Sequence, residues 1–371
     1  MRLLFVRSVV AAGLAAGLLL SPNLWQTARA YPTVPVWDTL PDIPPAGGRV
    51  AFGALLALLA LVVALPQRRW PVLAFVAVAG LWSLWDQTRW QPWFLQYLAF
   101  LLAVGVARDG ALDACRLVLA ATYFWSGVQK LNVSFVTDIY PWMIAPVQRH
   151  LPEGVAAWLE GQGYLVAAGE CGLGVLLLAP RLRPVAVPLV TVMHLGLLFC
   201  LGPAGHNWNS VVWPWNAALA ALVVVLFART PDVPARRILW PASCVGRGLL
   251  VLFGVMPALS FVGWWDAYPA MSLYSGTTPW ARITLDETAG EALPADVRAR
   301  FVTDGELDLQ AWAIDELNVP GYPARRVFRG LARRLGGPNH VRLVTYDRPD
   351  WRTGVRPEIE EELARRPWTD E

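Results

Sequence analysis

The chain has 371 residues, of which 56% are hydrophobic and only 16% are charged, with a mean hydropathy of +0.41 and a formal net charge of +3. This composition excludes a chain made only of soluble domains and indicates a membrane protein with many spans. Residues 1–263 carry 17 basic and 10 acidic side chains, whereas residues 264–371 carry 14 basic and 18 acidic ones. No Lys or Arg run with interleaved aromatic residues occurs, so we expect no nucleic-acid partner.

The N-terminus carries two arginines, an apolar stretch over residues 9–20 and the triplet Ala28-Arg29-Ala30. Together these features resemble a secretory signal with an A-x-A cleavage site. The alternative is an uncleaved first transmembrane helix, which we favour because a multi-spanning protein does not need a removable signal. The proline-rich residues 31–48 then predict an extended loop.

Eight further apolar segments follow, and with the first helix they predict nine transmembrane spans. Several are shorter than the ~20 residues expected of a perpendicular span. Ten arginines fall on the side of the N-terminus, while the other side receives four arginines and, at its edge, Lys130. By the positive-inside rule we expect an integral protein of the bacterial inner membrane, with a cytoplasmic N-terminus and an extracytoplasmic tail. The eight segments are residues 50–65, 70–85, 92–107, 111–130, 163–180, 184–202, 211–228 and 246–263.

The connection over residues 133–163 is longer than the others and has its own pattern. Its apolar positions fit one or two short helices that lie in the membrane interface and are broken at Pro152. Such helices either cap a site from outside or serve only as an anchor, and the sequence favours neither role.

The tail predicts a small domain that mixes strands and helices. Two of its stretches alternate in polarity as strands do, and two others have the spacing or the first-turn acidic residues of helices. The predicted fold is therefore an all-α polytopic membrane domain of about nine helices in residues 1–264, followed by a small α+β extracytoplasmic domain in residues 265–371. The predicted strands are residues 281–285 and 341–346, and the predicted helices are residues 325–335 and 357–363.

Unusual polar residues of the membrane part gather in three groups, all on the predicted outer side. Three such groups, in loops too short to be domains, predict a shared polar cavity that binds a substrate. Simpler explanations exist: a surface ion pair for Asp86 with Arg89, and helix capping for Asn207 or Asn209. The predicted substrate-binding residues are Asp86, Arg89, Trp90, Tyr123, Gln129, Asn132, His206, Asn207, Asn209 and Asn216.

Lys130 is the only lysine of the chain, beside thirty arginines. Burial can bring the pKa of a lysine toward neutrality, so that it gives and takes a proton as arginine does not. A lysine that snorkels from a helix end would show the same local pattern. Glu170 and His194 fall near the middle of predicted spans, where we expect them to pair with each other or to connect to Lys130, as a proton relay or a closed structural pair. The predicted catalytic residues are Lys130, His194 and Glu170.

One face of the fifth predicted span carries Tyr123, Ser126, Gly127 and Lys130, which are three or four residues apart. Because Gly127 has no side chain, either a partner helix or a flat ligand can approach the backbone closely there. The face therefore predicts a contact surface beside Lys130, occupied by a helix or by a ligand.

The cysteines give no sign of metal or redox chemistry. Cys115, Cys171, Cys200 and Cys244 are far apart in the chain and form no CxxC pair. This spacing argues against a thiol-exchange centre or a zinc site, and small apolar packing residues are the favoured interpretation. We therefore predict no metal ligands.

Residues 123–131, Tyr-Phe-Trp-Ser-Gly-Val-Gln-Lys-Leu, resemble a segment of the HTTM-type membrane proteins, the superfamily that contains vitamin K-dependent gamma-carboxylase. Met193-His194 and the aromatic, Met-containing residues 266–274 are also similar to features of that family. The resemblance covers residues 50–275 and implies nine spans with an outer C-terminal domain. It also implies that Lys130 is a catalytic base. The tail is much smaller than the lumenal part of the carboxylases, and a counterpart of their propeptide-binding region is not recognisable.

The resemblance implies a membrane enzyme, carboxylase-like or quinol-handling, that acts at the outer face on a quinol-like or other hydrophobic substrate. Its implied partners are the lipid bilayer and a quinone, hydroquinone or lipid-like ligand. The alternative is a non-catalytic quinone-associated redox partner or assembly factor of the DoxX or MauE type, which needs the same polar pocket and no base. A transporter is disfavoured because the sequence shows neither an inverted repeat nor a pair of interrupted helices.

Overall fold

The computed structural model describes residues 1–107, 110–230 and 233–363. Two parts of the predictions lie outside these ranges. They are Arg108, one of the ten arginines predicted on the side of the N-terminus, and residues 364–371 of the predicted C-terminal domain. The described chain is mostly helical, with a small antiparallel sheet near its C-terminus. The helices are α1 (Arg2–Leu20), α2 (Pro22–Trp25), α3 (Pro45–Ala64), α4 (Trp70–Ser83), α5 (Pro92–Val106), α6 (Ala111–Gln129), α7 (Tyr140–Gln148), α8 (Glu153–Glu160), α9 (Gly163–Leu178), α10 (Arg183–Leu201), α11 (Val212–Phe227), α12 (Ala235–Leu239), α13 (Cys244–Leu249), α14 (Glu287–Ala292), α15 (Ala295–Phe301), α16 (Leu309–Leu317) and α17 (Arg325–Leu335).

Each predicted span coincides with a helix, but only some of these helices have the length of a membrane span. In the described ranges four are long and apolar enough to cross a membrane: α1, α3, α10 and the run Cys244–Val262. A fifth arises if α8 and α9, which bend by 58° at their break, are counted as one span. Helices α4, α5 and α11 have 14–16 residues, fewer than the ~20 of a perpendicular span. The count of nine spans therefore stays a prediction.

One face of helix α1 packs into the helical part. Val6, Val10, Leu14 and Leu18 are fully buried at helical spacing, and α1 packs against α3, α5 and α11. Near its start, the Arg7 guanidinium donates to four backbone carbonyls at and after the end of α3. These contacts join the start of α1 to the end of α3.

The last helical run changes its pitch twice. Helix α13 continues into a π-helical segment, Leu250–Val255, and then into a 3-10 segment, Met256–Val262. The Trp125 indole of α6 donates to the Gly254 carbonyl at 3.1 Å. A side chain from a neighbouring helix thus satisfies a carbonyl where the regular α-helical hydrogen bonding is interrupted.

The connection between α6 and α9 contains two short helices, as predicted. A π-helical turn, Phe135–Ile139, runs into α7, and α8 begins directly after Pro152. Proline has no amide hydrogen and disfavours helix in the residue before it, so the break falls there. Helix α7 buries Tyr140 and Met143, whereas α8 buries no side chain, so α7 is the part that packs on its surroundings.

The C-terminal part forms an antiparallel five-stranded sheet in the order β2-β3-β1-β4-β5. One face of α17 buries Val327, Phe328, Leu331 and Leu335 and packs on β4 and β1. The predictions of strands at 281–285 and 341–346 and of a helix at 325–335 are confirmed. The strands are β1 (Trp280–Leu285), β2 (Val302–Thr303), β3 (Glu306–Leu307), β4 (Val341–Tyr346) and β5 (Glu358–Glu360).

The predicted helix at 357–363 is wrong, because this segment contains β5. Glu358 and Glu360 lie opposite Tyr346 and Val344 of the neighbouring strand. Both glutamates are exposed, and Glu360 accepts a hydrogen bond from Arg342 at 2.8 Å. Sheet pairing has overridden the helix preference of glutamate, since propensity is a weak guide where a neighbouring strand offers backbone partners.

The C-terminal part sits on one end of the helices, called the domain-side end below. Glu316 of α16 accepts hydrogen bonds from the amides of Ala30 and Tyr31 at 2.6 and 2.9 Å. Asn318 donates to the Leu20 carbonyl at 2.8 Å. The proline-rich loop between α2 and α3 is therefore held from above by residues almost 300 positions later.

Candidate functional site

Lys130 ends α6 at the domain-side end and forms an ion pair. Its ammonium donates to Glu170 Oε2 at 2.6 Å and to Ser126 Oγ at 2.7 Å. The Lys130 and Glu170 side chains are 11% and 12% exposed. The pair is therefore largely enclosed by apolar helices, yet it is reachable from the surface of the helical part.

The contact between α6 and α9 depends on two glycines. A Cβ atom at Gly127 would clash with the backbone of Cys171, and one at Gly174 would lie 2.6 Å from the Phe124 amide nitrogen. Only a hydrogen atom fits at either position, so the two helix backbones touch. The sequence left open whether a helix or a ligand lies beside Gly127, and the structure shows a helix, α9. The close approach of α9 brings Glu170 within hydrogen-bonding distance of Lys130.

His194 lies in a second buried chain of hydrogen bonds. Its Nε2 is 2.8 Å from the Tyr123 hydroxyl and its Nδ1 is 2.8 Å from Asn216 Oδ1. The Asn216 amide nitrogen donates to the Val212 carbonyl, which leaves Oδ1 as the acceptor. His194 thus carries its proton on Nδ1 and accepts the Tyr123 hydroxyl proton at Nε2.

The two groups lie along one face of α6, because Tyr123 is one turn before Ser126 on that helix. The structure therefore brings together the three predicted catalytic residues and two of the predicted binding residues, Tyr123 and Asn216. Glu170 connects to Lys130 and not to His194, which settles the choice of partner that the sequence left open. The arrangement contains an amine, a carboxylate, a phenol and an imidazole, all of which can exchange protons.

Gln129 and Asn132 fasten the end of α6. Gln129 donates to Ser260 Oγ and accepts from the Arg348 guanidinium, both at 2.8 Å. Asn132 donates to the Ser275 carbonyl at 2.9 Å and accepts from a backbone amide. Both side chains are buried and use their polar atoms inside the protein.

Asp86, Arg89 and Trp90 belong to another cluster, which lies under the C-terminal domain. Asp86 pairs with Arg29 at 2.5 Å, with both side chains nearly unexposed, so the expected surface ion pair of Asp86 with Arg89 is wrong. Arg89 is fully buried, donates to the Leu24 and Trp82 carbonyls and lies 4.4 Å over the Trp82 ring. Burial lowers the pKa of the Arg89 guanidinium to about 9.

The cluster does not share polar contacts with Lys130 in the described residues. Trp90 donates to Ser83, and the Arg29 guanidinium also donates to the Tyr31 and Leu24 carbonyls. The polar groups of the loop over residues 86–91 therefore hold this loop to neighbouring segments of the chain. They do not form a wall of a cavity around Lys130.

His206 and Asn209 belong to a third group beside α7, and Asn207 lies between them in the chain with φ +51° and an amide that donates to the Gly202 carbonyl. The His206 ring stacks on Trp142 with centroids 4.4 Å apart, and its Nε2 lies 2.6 Å from the Trp142 carbonyl. Asn209 donates to the Tyr274 hydroxyl at 2.9 Å, while its Oδ1 is buried without a partner. No side chain caps α11, so the capping explanation for these asparagines is wrong.

Sequence reasoning missed a cavity of about 1010 Å³ between α7, the loop after α10 and the C-terminal domain. Trp142 and Trp208 line it from the helical part, Tyr274 lines it from the segment that joins the two parts, and β1, β3 and their loops line it from the domain. His206 and Asn209 contact its wall through Trp142 and Tyr274. Its lining residues extend from Ile139 to Arg356, so the one local signal in the sequence was the aromatic content of residues 266–274.

The described residues contain no group of three or more His, Cys, Asp or Glu side chains arranged to hold a metal ion. Comparison of the whole chain with protein-family models, with curated proteins and with solved structures found no match. The geometry of its own residues is therefore the basis for any functional conclusion.

Proposed function

We propose that the chain is an integral membrane protein with nine spans and that the domain-side end faces the outside. Apolar helices with exposed Leu, Val and Phe side chains support this placement. The arginines support the orientation: Arg2, Arg7, Arg116 and Arg183 all bind backbone carbonyls at the helix ends opposite the domain. A reporter that is active only outside the cytoplasm, fused after residue 363, should be active; an inactive fusion contradicts the topology.

Within this topology the protein acts as a membrane enzyme that uses Lys130 as a general base on a quinol-like or other hydrophobic substrate. The observation that carries this proposal is the 2.6 Å bond between the single lysine and Glu170 inside an apolar helix bundle. Transfer of one proton along this bond gives a neutral amine beside a neutral carboxylic acid. Neither state of the pair has a net charge, so the exchange adds little desolvation cost in a low-dielectric site.

The neutral amine is then the proton acceptor for a substrate that enters beside Ser126. The Lys130 ammonium forms again when the proton is accepted, and Glu170 can return its own proton to water when the substrate leaves. Tyr123 and His194 form a separate buried chain, in which the phenol donates to Nε2 while Nδ1 donates to Asn216. No hydrogen bond in the described residues joins this chain to Lys130 or Glu170, so its role is to hold both rings beside the site.

A hydroquinone, the cofactor implied by the family resemblance, fits the chemistry of these groups. Ser126 and Glu170 offer oxygen acceptors for hydroxyl groups, and the half-buried Phe124 and Trp125 offer apolar faces. When bound, the group would supply reducing equivalents. The residues that would hold it are Ser126, Lys130 and Glu170.

The second candidate is a non-catalytic quinone-associated redox partner or assembly factor. The ion pair of Lys130 with Glu170 and the glycine contact between α6 and α9 favour it. Both features also stabilise a rigid helix pair in a protein that catalyses no reaction. This candidate requires the charge of Lys130 to be kept but does not require its proton transfer.

Lys130→Arg separates the two candidates, because arginine keeps the positive charge but does not act as a base at physiological pH. In cells that depend on the protein, we expect Lys130→Arg and Lys130→Met to lose function while both remain in the membrane. The purified variants are extracted and any bound quinone is identified by mass spectrometry. Function retained by Lys130→Arg contradicts the enzyme and supports the non-catalytic partner.

A further inference from the structure

The cavity between the C-terminal domain and the helical part is large enough for a small organic ligand. Its volume is about 1010 Å³. The segment over residues 275–276 lines it on one side and packs against Ser134 and Phe135 on the other, so the cavity lies above the end of α6 and outside the Lys130 site. It is therefore a separate site, whose role does not depend on the chemistry of Lys130.

Flat aromatic surfaces make up much of the cavity wall. Trp280 of β1 stacks on Tyr346 with ring centroids 4.0 Å apart and planes at 9°, and it is still 40% exposed. In the helical part, the Trp142 ring stacks on His206 with centroids 4.4 Å apart, and its centroid is 6.2 Å from that of Trp208 and 6.1 Å from that of Tyr274. Each stacked ring has one face fixed by a neighbour, so the other face is held in place for a ligand.

Tyr274 is held in an unfavourable backbone conformation. Its φ is +54°, in the left-handed region that bulky side chains rarely adopt, whereas its partner Asn209, at φ +47°, is of a residue type that tolerates this region. Such strain persists only where the surroundings fix it, and it is common at ligand sites. Burial raises the pKa of Tyr274, so its hydroxyl stays protonated and, while it accepts from Asn209, keeps one proton to donate.

The charged groups of the wall disfavour an anionic ligand. Both lining guanidinium groups have partners already: Arg300 binds Asp315 with two hydrogen bonds, and Arg356 donates to three backbone carbonyls. The carboxylates of Asp304, Glu306 and Asp308 lie on the domain wall. Glu306 pairs with Arg282 at 3.3 Å and Asp308 accepts from the Ala311 amide, but a carboxylate has about four acceptor positions, so each can accept further hydrogen bonds. A purely hydrocarbon ligand is disfavoured as well, because it would desolvate these carboxylates without replacing their hydrogen bonds.

The wall is also unsuited to an added peptide strand. β3 pairs with β1 only at Ile283 and Thr284, and the Leu285 amide bonds to the Gly305 carbonyl on that side. By the alternation of antiparallel strands, Ala281 is then the one remaining β1 residue whose amide and carbonyl face this side. One residue offers two hydrogen bonds, whereas strand addition depends on a repeated series.

From these observations we propose that the cavity binds a neutral saccharide. The apolar face of a pyranose ring packs on the open faces of Trp280 and Trp142. Asp304 and Glu306 accept hydrogen bonds from neighbouring sugar hydroxyls, and Gln310 and the Tyr274 hydroxyl supply donors. A sugar of two or three rings fits the volume, and it is uncharged, as the wall requires.

Isothermal titration calorimetry on the purified full chain, in a zwitterionic detergent without a sugar head group, tests the proposal. The probes are chitotriose, maltotriose and cellotriose. We expect at least one to bind, and Trp280→Leu to weaken its binding about ten-fold through loss of one stacking surface. Asp304→Asn, at an exposed position, should also weaken it. Trp351→Leu is the matched control, because Trp351 is a 58% exposed tryptophan of the same domain that does not line the cavity.

Thermal unfolding confirms that each variant is folded before titration. If Trp280→Leu is unfolded, Asp304→Asn alone is used to test the cavity wall. Failure of all three sugars to bind the folded wild type at millimolar concentrations overturns the proposal. Sugar binding that both cavity variants leave unchanged, or that Trp351→Leu reduces equally, overturns it too. Binding of choline or of a peptide in place of the sugars assigns the cavity to another ligand class.

Discussion

Two buried charge clusters of this protein differ in how completely they are closed. The cluster of Arg29, Asp86 and Arg89 is almost unexposed: Arg29 binds the carboxylate and backbone carbonyls, and Arg89 binds carbonyls while its Nη2 lacks a partner among the described residues. In the same residues Lys130 and Glu170 share Ser126 as a further partner, and each side chain is about one-tenth exposed. The clusters therefore differ in access from the surface and not in burial alone. Our proposal of a site at Lys130 depends on this access, because a ligand must reach an enclosed charge to use it.

Asp86→Asn should have the largest effect on stability. It leaves the buried Arg29 without its carboxylate, and loss of one partner of a buried pair costs about 3–5 kcal/mol. Chemical unfolding in detergent measures the change. Asp42→Asn is the control, because Asp42 is 85% exposed and pairs with Arg334 at 3.3 Å; a similar loss in both variants would show that the first cluster is not special.

Gly127→Ala should come next, because the added methyl group collides with the backbone of α9. Overpacking of this kind costs about 1–3 kcal/mol, and it should also separate Lys130 from Glu170. Gly172→Ala, on the same helix pair but with open space around it, should be neutral or stabilising. Equal destabilisation by both substitutions would contradict the close contact of α6 with α9.

A double-mutant cycle on Lys130→Met and Glu170→Gln sharpens the comparison further. We expect a coupling free energy of about 0.5–3 kcal/mol, because each single variant leaves the other charge enclosed and unpaired. The exposed pair of Arg342 with Glu360 serves as the reference and should show no measurable coupling. A Lys130–Glu170 coupling as small as that of the reference would mean that the pair is not formed.

The smallest effect concerns pH and the surface of the C-terminal domain. Hydrogen bonds from the Ala289 amide and from His340 lower the pKa of Asp286 below its ordinary value of 3.8. A carboxyl with a lowered folded pKa adds stability above its unfolded pKa and loses it as the pH falls through the folded pKa. Stability should therefore drop slightly below pH 4, and Asp286→Asn should flatten that part of the curve of melting temperature against pH.

The sequence predicted the positions of the helices well because apolar runs and their ends are local properties. It also predicted that Glu170 and His194 would have polar partners, either each other or Lys130, since an ionisable residue in an apolar helix needs a partner. It could not choose the partners: whether Glu170 reaches Lys130 or His194 depends on the approach of α9, which is set by Gly127 and Gly174. Nor could local patterns separate the loop of Asp86 from that site, because its partner Arg29 lies 57 positions away.

The contacts of Glu316 have a consequence for how the protein is made. The amides of Ala30 and Tyr31 leave the ribosome early, yet their acceptor is synthesised 285 or more residues later. Until then the proline-rich loop and the buried arginines beneath it are not covered by the C-terminal domain. Assembly is therefore completed only near the end of synthesis, and the unfinished chain is the form most exposed to proteases and most in need of chaperones.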